Sequence, residues 1–292
     1  MAHPTRPTAR VAFQGEHGAF SEAAAIQLLG ENIVTVPRTT FDSAFRAIAE
    51  NAADALLAPV ENSLAGSVVR VYDLLLESDL GIIAETILPI EHHLIGCKGA
   101  TLALLKSVSS HPMALAQCER FFLSHPELRR VPAEDTAGSV RDVLANGDKS
   151  AAGIAGRQAA VRYGGVILAE SIHDNAENFT RFVLLVPKDS ASPNPLLRPR
   201  LDGNILKASL AMRLAHRPGA LLAALQPFAD CGINLLKIES RPIHGRPWEY
   251  QFFLDVQTEE PAKLHQALHR VHAATSFFQV LGRYSPVRSA QS

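Results

Sequence analysis

Hydroxyl, amide and carboxylate side chains gather in short polar segments that follow apolar runs of the sequence. The densest is residues 59–67, PVENSLAGS, in which Glu61, Asn62 and Ser63 are consecutive. It comes directly after an apolar run, so it is expected to form a loop at the end of a buried strand. Polar side chains grouped on such a loop are typical of sites for polar small molecules. An ordinary cap and turn is the alternative interpretation.

Three more segments place polar groups at the starts of predicted helices: GEHGAFS at 15–21, SHPMALAQC at 110–118 and DTAGS at 135–139. The free N–H groups and the dipole of a helix N-terminus favour a carboxylate. Structural turns and ordinary N-caps are the alternatives. The candidate ligand residues in these segments are Gly15, Ser21, Ser110, His111, Gln117, Thr136 and Ser139.

A hydroxyl stands beside a cation in the segment NFTRF, residues 178–182, where Thr180 precedes Arg181 and Phe182. A hydroxyl in that setting can donate a hydrogen bond or a proton to a leaving oxygen. The alternative is the entry of a strand with a surface arginine.

Other chemistries have weaker signals. His92 and His93 are adjacent and lack partners at a zinc-like spacing, so no metal site is predicted. The sequence has no Walker motif, no G-x-G-x-x-G and no G-x-S-x-G, and we expect no cofactor. The 28 basic and 29 acidic residues give a net charge of −1, which argues against nucleic acid and anionic membranes as partners. No apolar run approaches the roughly 18 residues of a membrane span.

The cysteines point to a reducing environment. Cys97, Cys118 and Cys231 are odd in number, widely spaced and without a C-x-x-C pair, as in cytosolic proteins. The N-terminus does not resemble a secretory signal. We therefore expect a cytoplasmic protein.

The order of apolar patterns predicts two domains joined by a linker. Residues 10–187 alternate short strands with helices, which is typical of α/β sheets whose ligands bind between lobes or at strand ends. Within this part, one helix is expected to begin at Pro112 and to present Leu115, Cys118 and Phe122 on one face. Residues 188–204 are rich in proline and are predicted to be a linker. Residues 205–285 follow the order βαββαβ, an α+β ferredoxin-like sandwich.

The motifs, taken in order, carry a family resemblance. GEHGAFSEAA, PVENSLAGS, SHPMALAQC, DTAGS and NFTRF together resemble prephenate dehydratases, and the match covers nearly all of the first domain. The second domain resembles an ACT regulatory domain, with the motifs GALL at 219–222 and ESRP at 239–242. The resemblance implies a two-lobed fold like that of periplasmic binding proteins, with the active site in the cleft. Only about ten residues precede the first strand, so we expect a monofunctional enzyme without a fused chorismate mutase domain.

The resemblance also implies residue roles. Thr180 would be the key catalytic hydroxyl, supported by Arg181 and Phe182, with Glu61 and Asn62 in the cleft. Ser110 and Gln117 would lie in the cleft as well, and Thr136 and Ser139 would line it. Prephenate would be converted to phenylpyruvate, water and CO₂ in phenylalanine biosynthesis. Phenylalanine would bind the ACT domain across a dimer interface and regulate the enzyme through Gly219, Ala220, Leu221, Leu222, Glu239, Ser240, Arg241 and Pro242.

Three alternatives are considered. GAFS, ALAQC and DTAGS resemble the plant-type branch, whose members often prefer arogenate, so the substrate is either prephenate or arogenate. A module that binds amino acids without catalysis would explain the lobes and the ACT domain, but not the Thr-Arg-Phe segment. An ACT-bearing regulator would need a basic DNA-binding helix, and the sequence shows none. The ACT domain implies at least a dimer.

Overall fold

A computed structural model of the chain describes residues 8–188, 194–198, 205–243 and 245–287. The chain divides into two compact units. The first consists of Met1–Leu74 and Thr86–Val183, and the second of Leu75–Glu85 and Leu184–Ser292. The boundaries of domain and linker predicted at 187/188 and 204/205 stay predictions, because residues 189–193 and 199–204 lie outside the described part of the chain.

The first lobe of the first unit is built around a sheet in which the strands lie in the order β2 (Ile33–Arg38), β1 (Ala9–Gln14), β3 (Ala55–Asn62) and β11 (Phe179–Pro187). Strand β1 pairs in parallel with β2 and β3, as β/α alternation requires. Helix α2 begins directly after Thr40, because Thr40 and Ser43 form a capping box at its N-terminus. The elements of this part of the chain are β1 (Ala9–Gln14), α1 (Phe20–Leu29), β2 (Ile33–Arg38), α2 (Phe41–Ala49), β3 (Ala55–Asn62), β4 (Gly66–Ser67), α3 (Val69–Glu77) and β5 (Leu80–Pro89), and the last two include residues of the second unit.

The second lobe of this unit has its own sheet, with the order β10-β6-β9-β7-β8. Its elements are β6 (His93–Gly96), β7 (Ser107–Ser110), α4 (Pro112–Ala116), α5 (Glu119–Ser124), β8 (Arg129–Pro132), α6 (Thr136–Asn146), β9 (Ala151–Ala155), α7 (Arg157–Tyr163) and β10 (Val166–Ala169). The chain then returns to the first lobe in β11 (Phe179–Pro187). The expected two-lobed α/β architecture is confirmed.

The single helix predicted from Pro112 is wrong in one respect, because it is broken at residues 117 and 118. The Asp174 carboxylate accepts hydrogen bonds from the backbone N–H groups of Glu119 and Arg120 and so caps a second, separate helix. The backbone N–H of Asp174 donates to the carbonyl of Gln117. A distant loop therefore divides the helix and turns Gln117 out of the helical register, which periodicity in residues 112–124 could not reveal.

The second unit contains the predicted βαββαβ order. That order is formed by β12 (Leu206–Arg213), α8 (Ala220–Asp230), β13 (Asn234–Ile243), β14 (Arg246–Thr258), α9 (Pro261–Ala273) and β15 (Phe277–Tyr284). The strand order β13-β14-β12-β15 is that of a ferredoxin-like sheet, and the pairs within it are antiparallel. The two helices bury an apolar core against it that includes Met212, Phe228 and Leu264.

Within the predicted linker, Pro195–Leu197 forms a short 3₁₀ turn in which Leu197 is buried. Cys97, Cys118 and Cys231 are buried free thiols. In the part of the chain that the structure describes, no helix is long and apolar enough to cross a membrane.

The loop before α1 is held by the carboxylate of Glu22. Ala19 occupies the N-cap position and offers no side-chain acceptor. Glu22, in the first helical turn, instead accepts hydrogen bonds from Gly18 N–H at 2.6 Å and from the Thr35 hydroxyl at 2.6 Å. The His17 ring lies 2.7 Å from the same carboxylate. Burial acts to raise the pKa of Glu22, but these hydrogen bonds together lower it below its usual 4.5.

We predict that Glu22→Gln lowers the melting temperature at pH 7 by roughly 3 °C, and that the difference from wild type shrinks as the pH falls below 4.5. The folded-state pKa is depressed, so the contribution of the ionised carboxylate is complete above the unfolded value and is lost on acidification. Thermal unfolding at several pH values measures this, with Glu31→Gln as the control on an exposed residue. A difference that grows toward acid pH would show that the carboxylate is not stabilised by these contacts.

Candidate active site and regulatory site

Thr180 and Asn62 meet across two neighbouring strands of the first lobe. Asn62 ends β3, Thr180 is the second residue of β11, and the two strands are adjacent in the sheet. The Asn62 Nδ2 atom donates to the hydroxyl oxygen of Thr180 at 2.9 Å. Thr180 is only 8% exposed. Thr180 lies within a strand, so its backbone is fixed by the sheet.

Side-chain alternation separates the predicted catalytic group into two sets. Successive residues of a strand face opposite sides of the sheet. Thr180 and the buried Phe182 therefore share one side of β11, whereas Arg181 lies on the other. There its Nε atom lies 3.5 Å from the Glu61 carboxylate, and its guanidinium also approaches the hydroxyl of Tyr72. Glu61 and Arg181 thus form an ion pair across the strands, on the face opposite to the Thr180 hydroxyl.

The polar loop after β3 is fixed by its own side chains. The Asn62 Oδ1 atom accepts hydrogen bonds from the backbone N–H groups of Leu64 and Ala65. The Ser63 hydroxyl donates to the carbonyl of Glu177 at 2.8 Å and accepts from the N–H of Phe179 at 2.9 Å. Ser63, predicted as a substrate ligand, is therefore engaged with the backbone just before Thr180.

Asn178 connects this loop to the second lobe. Its Oδ1 atom accepts a hydrogen bond from Asn62 Nδ2 at 2.7 Å, and its Nδ2 atom donates to Gln117 Oε1 at 3.1 Å. Gln117 Oε1 also lies 2.9 Å from Nε2 of His92. One chain of hydrogen bonds thus runs from His92 through Gln117, Asn178 and Asn62 to Thr180. Among the predicted ligands, the structure brings Asn62, Gln117 and Thr180 into this network.

Two members of the network, Asn178 and His92, are not among the residues predicted from the sequence. Asn178 opens the NFTRF motif and is 1% exposed, but it was not singled out as a site residue. His92, 2% exposed, was considered only as a metal ligand. For Asn178, the signal in the sequence is an asparagine close to a hydroxyl at the start of an apolar strand, because a buried amide needs several hydrogen-bond partners.

Three of the remaining predicted ligands, Ser110, His111 and Ser139, make hydrogen bonds with backbone groups. The buried Ser110 hydroxyl donates to the carbonyl of Ile154, and the exposed His111 accepts from the N–H of Met113. The Ser139 hydroxyl donates to the carbonyl of Thr136 in the first turn of α6. Asp135 caps this helix by accepting from Gly138 N–H, and burial raises the pKa of its carboxyl.

The loop at 15–21 is largely occupied by its own contacts. Gly15 N–H donates to the carbonyl of Arg38, and Gly18 N–H donates to Glu22. Ser21 is buried in the first turn of α1. These two N–H groups are therefore not available to an anion, and the carboxylate of Glu22 adds a negative charge beside them.

The same loop makes the contacts between the lobes. A side chain at Gly18 would lie 2.9 Å from the Cα atom of Ala159, so only glycine fits there. The hydroxyl of Tyr163 donates to the carbonyl of His17 at 2.7 Å. The Phe20 ring meets the His92 ring edge-on, with centroids 5.7 Å apart. The lobes are thus in direct contact next to the hydrogen-bonded network.

In the second unit, the residues that were predicted to bind phenylalanine fall into two groups, one at a cavity and one on an edge strand. A cavity of about 160 Å³ is lined by the loop after β12, the start of α8 and the start of β14. Ala220 and Leu221 of the GALL motif line it, and Gly219 begins the helix with a left-handed φ of 77°. Leu222 is 67% exposed.

The ESRP motif lies on β13, at the end of the sheet order. Glu239 and Arg241 are half-buried and alternate with the exposed Ser240 and Pro242. Glu239 lies 3.4 Å from the ammonium group of Lys237. Within one chain the ESRP residues do not line the cavity, although their strand partners, which include Tyr250 and Phe252, do.

No group of three or more His, Cys, Asp or Glu side chains that could hold a metal ion occurs within residues 8–188, 194–198, 205–243 and 245–287. The network around Thr180 offers neutral amides and a hydroxyl. Such groups donate and accept hydrogen bonds and suit acid assistance to a leaving oxygen.

Comparison with known proteins agrees with this geometry. Residues 11–190 match the family model for prephenate dehydratase, and residues 208–272 match that for the ACT domain. An arogenate dehydratase/prephenate dehydratase of Arabidopsis thaliana is 37% identical over 287 residues, covering 94% of this chain and 72% of the relative.

Two solved structures are similar over almost the whole chain. One is a prephenate dehydratase from Arthrobacter aurescens in complex with L-Phe, with 32% identity, a TM-score of 0.83, and coverage of 94% of this chain and 89% of that one. The other is described as a quorum quenching acylase, also with 32% identity and a TM-score of 0.83, covering 95% of this chain and 98% of that one. The chain belongs to the prephenate dehydratase family of hydro-lyases and carries an ACT domain after the dehydratase segment.

Proposed function

We propose that the first unit converts prephenate to phenylpyruvate, CO₂ and water, with the Thr180 hydroxyl as the acid that assists departure of the ring hydroxyl. The observation that carries this proposal is the hydrogen bond from Asn62 Nδ2 to the oxygen of the buried Thr180. A hydroxyl has one proton to donate besides its lone pairs. Because Asn62 occupies a lone pair, the proton of Thr180 is left for a different oxygen.

The reaction balances without an oxidant or a metal. The bond between the ring and its carboxylate breaks, and its electron pair enters the ring as CO₂ leaves. The C4–O bond then breaks with its pair on oxygen, which takes a proton and departs as water. Thr180 shares its proton as this charge develops, and solvent returns it. The hydrogen bond that Thr180 accepts from Asn62 fixes the oxygen, so the correct placement exists before the substrate binds.

The network also restricts the roles of the charged residues. Glu61 is paired with Arg181 on the opposite face of the sheet, so it does not oppose the negative substrate directly. We assign to this pair the task of holding β3 against β11. Gln117, whose oxygen faces His92 and Asn178, is assigned to the substrate through its NH₂ group. Ser110, His111, Thr136 and Ser139 stay predictions as substrate ligands.

The proposal has to be distinguished from three other functions. Arogenate differs from prephenate in the side chain rather than in the ring, so the same Thr180 chemistry applies to it. A binding module without catalysis would bind phenylalanine and turn over neither compound. The similarity to a described acylase adds a third arm, hydrolysis of an N-acylated amine. Purified protein incubated with each substrate separates these: phenylpyruvate from prephenate supports the proposal, and its absence with turnover of another substrate contradicts it.

We predict that Thr180→Ala lowers kcat by roughly 10²-fold or more, because the leaving oxygen loses its acid. Thr180→Ser keeps the hydroxyl and should retain most of the activity. Thr101→Ala, at an exposed threonine in the second lobe, is the control. Steady-state kinetics measure the effect, and a near-normal kcat for Thr180→Ala would remove this residue from the mechanism.

We further propose that phenylalanine inhibits the enzyme by binding in the cavity of the second unit, closed by β13 of a second copy. Apolar Leu221, Tyr250 and Phe252 line the cavity and suit an aromatic ring. On β13, Leu236 and Ile238 are 46% and 44% exposed, as expected of a strand that is covered on self-association. The exposed Ser240 lies on the same strand, so it could reach the ligand from the neighbouring copy.

We predict that Gly219→Ala and Ser240→Ala each raise the phenylalanine concentration for half-inhibition about tenfold, with uninhibited kcat unchanged. Gly232→Ala is the matched control, because Gly232 has a similar φ of 66° in the same unit but lies after α8, away from the cavity. Inhibition curves for the four proteins measure the effect. Equal inhibition of all four would place the effector site elsewhere.

A further inference from the structure

His92 is a buried imidazole in the first unit that the mechanism leaves without a role. It lies immediately before β6, and only 2% of its surface is exposed. Its Nε2 atom lies 2.9 Å from Gln117 Oε1, and its Nδ1 atom is buried without a hydrogen-bond partner among the described residues. An apolar side chain in contact with Phe20 would fill the same space without this cost. The imidazole is therefore expected to be there for the bond to Gln117.

The contact fixes both the tautomer of His92 and the orientation of the Gln117 amide. A carbonyl oxygen only accepts, so His92 must carry its proton on Nε2. Gln117 Oε1 accepts a second hydrogen bond, from Asn178 Nδ2. Two donors on one oxygen exclude the flipped amide, because its NH₂ would face two N–H groups. The NH₂ group of Gln117 must then point away from His92 and Asn178.

We propose that His92 is a positioning residue, whose Nε2–H group holds the Gln117 amide so that its NH₂ donates to a substrate oxygen. This inference rests on the proposed function, in which Gln117 is a substrate ligand. His92 itself touches no reacting atom and acts through Gln117.

The surroundings keep His92 neutral. Burial lowers the pKa of His92 to about 4, against the opposing effect of the hydrogen bond to Gln117, and the neighbouring His173 and His93 act in the same direction as burial. The ring therefore retains one proton at neutral pH, and that proton is on Nε2. The hydrogen bonds among the three amides of the network join neutral groups, so none of them requires a charged imidazolium.

The adjacent histidine, His93, has different hydrogen-bond partners from His92. It is equally buried, but its Nδ1 atom accepts a hydrogen bond from the backbone N–H of Ser171, and its Nε2 atom lies 3.8 Å from the Glu91 carboxylate. The hydrogen bond from Ser171 ties the start of β6 to the loop after β10. His93 is thus a buried histidine of the same lobe with a structural task and no contact to Gln117.

The test is a double-mutant cycle with His92→Leu, Gln117→Leu and the double variant, assayed with prephenate and, in parallel, with arogenate. We expect His92→Leu to lower kcat/KM roughly 10²-fold, the cost of a misplaced ligand, and to have no further effect once Gln117 is leucine. His92→Gln keeps an N–H donor at a similar reach and should restore kcat/KM to within about tenfold of wild type. His93→Leu is the matched control: its effect should be the same in both backgrounds.

Each outcome separates the two levels of the account. Wild-type protein that turns over neither substrate rejects the proposed function. If the wild type is active and the losses of kcat/KM from His92→Leu and Gln117→Leu multiply in the double variant, the positioning role is overturned. A ¹⁵N spectrum of the histidines provides a readout without substrate: the Nε2–H tautomer at pH 7 is expected for His92, and the Nδ1–H tautomer would overturn the proposal even if His92→Leu fails to fold.

Discussion

The site depends on one buried amide, that of Asn178. Its oxygen accepts from Asn62 in the first lobe, and its nitrogen donates to Gln117 in the second. A buried amide whose donor and acceptor are both engaged has one orientation, because flipping it would oppose like groups on both sides. Asn178 therefore fixes Asn62, which in turn fixes the Thr180 hydroxyl. The position of the proposed acid is set by contacts from both lobes rather than by the strand alone.

The two faces of the sheet carry different side chains of the neighbouring motifs. Alternation places Thr180 and Asn62 on one face and the ion pair of Glu61 with Arg181 on the other. Neutral donors and acceptors thus face the proposed substrate, while the charges are neutralised among themselves. A neutral acid suits this reaction, since aromatisation supplies the driving force and the enzyme needs placement more than charge.

The sequence carried enough information for the elements and for part of the site. The apolar patterns predicted the alternation of strands and helices and the βαββαβ order, because these signals are local. Thr180 and Asn62 were also found, since hydroxyls and amides stand out after apolar strands. The break at Gln117 and the bridge through Asn178 were missed, because both depend on residues 55 or more positions away. The separation of Glu61 from Thr180 required knowing that β3 and β11 are neighbours.

The most direct test of this account is the activity of Asn178→Asp across pH. The substitution keeps the acceptor for Asn62 but replaces the donor to Gln117 with a carboxylate oxygen, and Asn175→Asp provides an exposed control three residues away. We expect kcat/KM for prephenate to fall roughly 10²-fold at pH 8 and to recover in part toward pH 5, where a protonated carboxyl donates again. Activity equal to wild type at every pH would contradict the central role of Asn178.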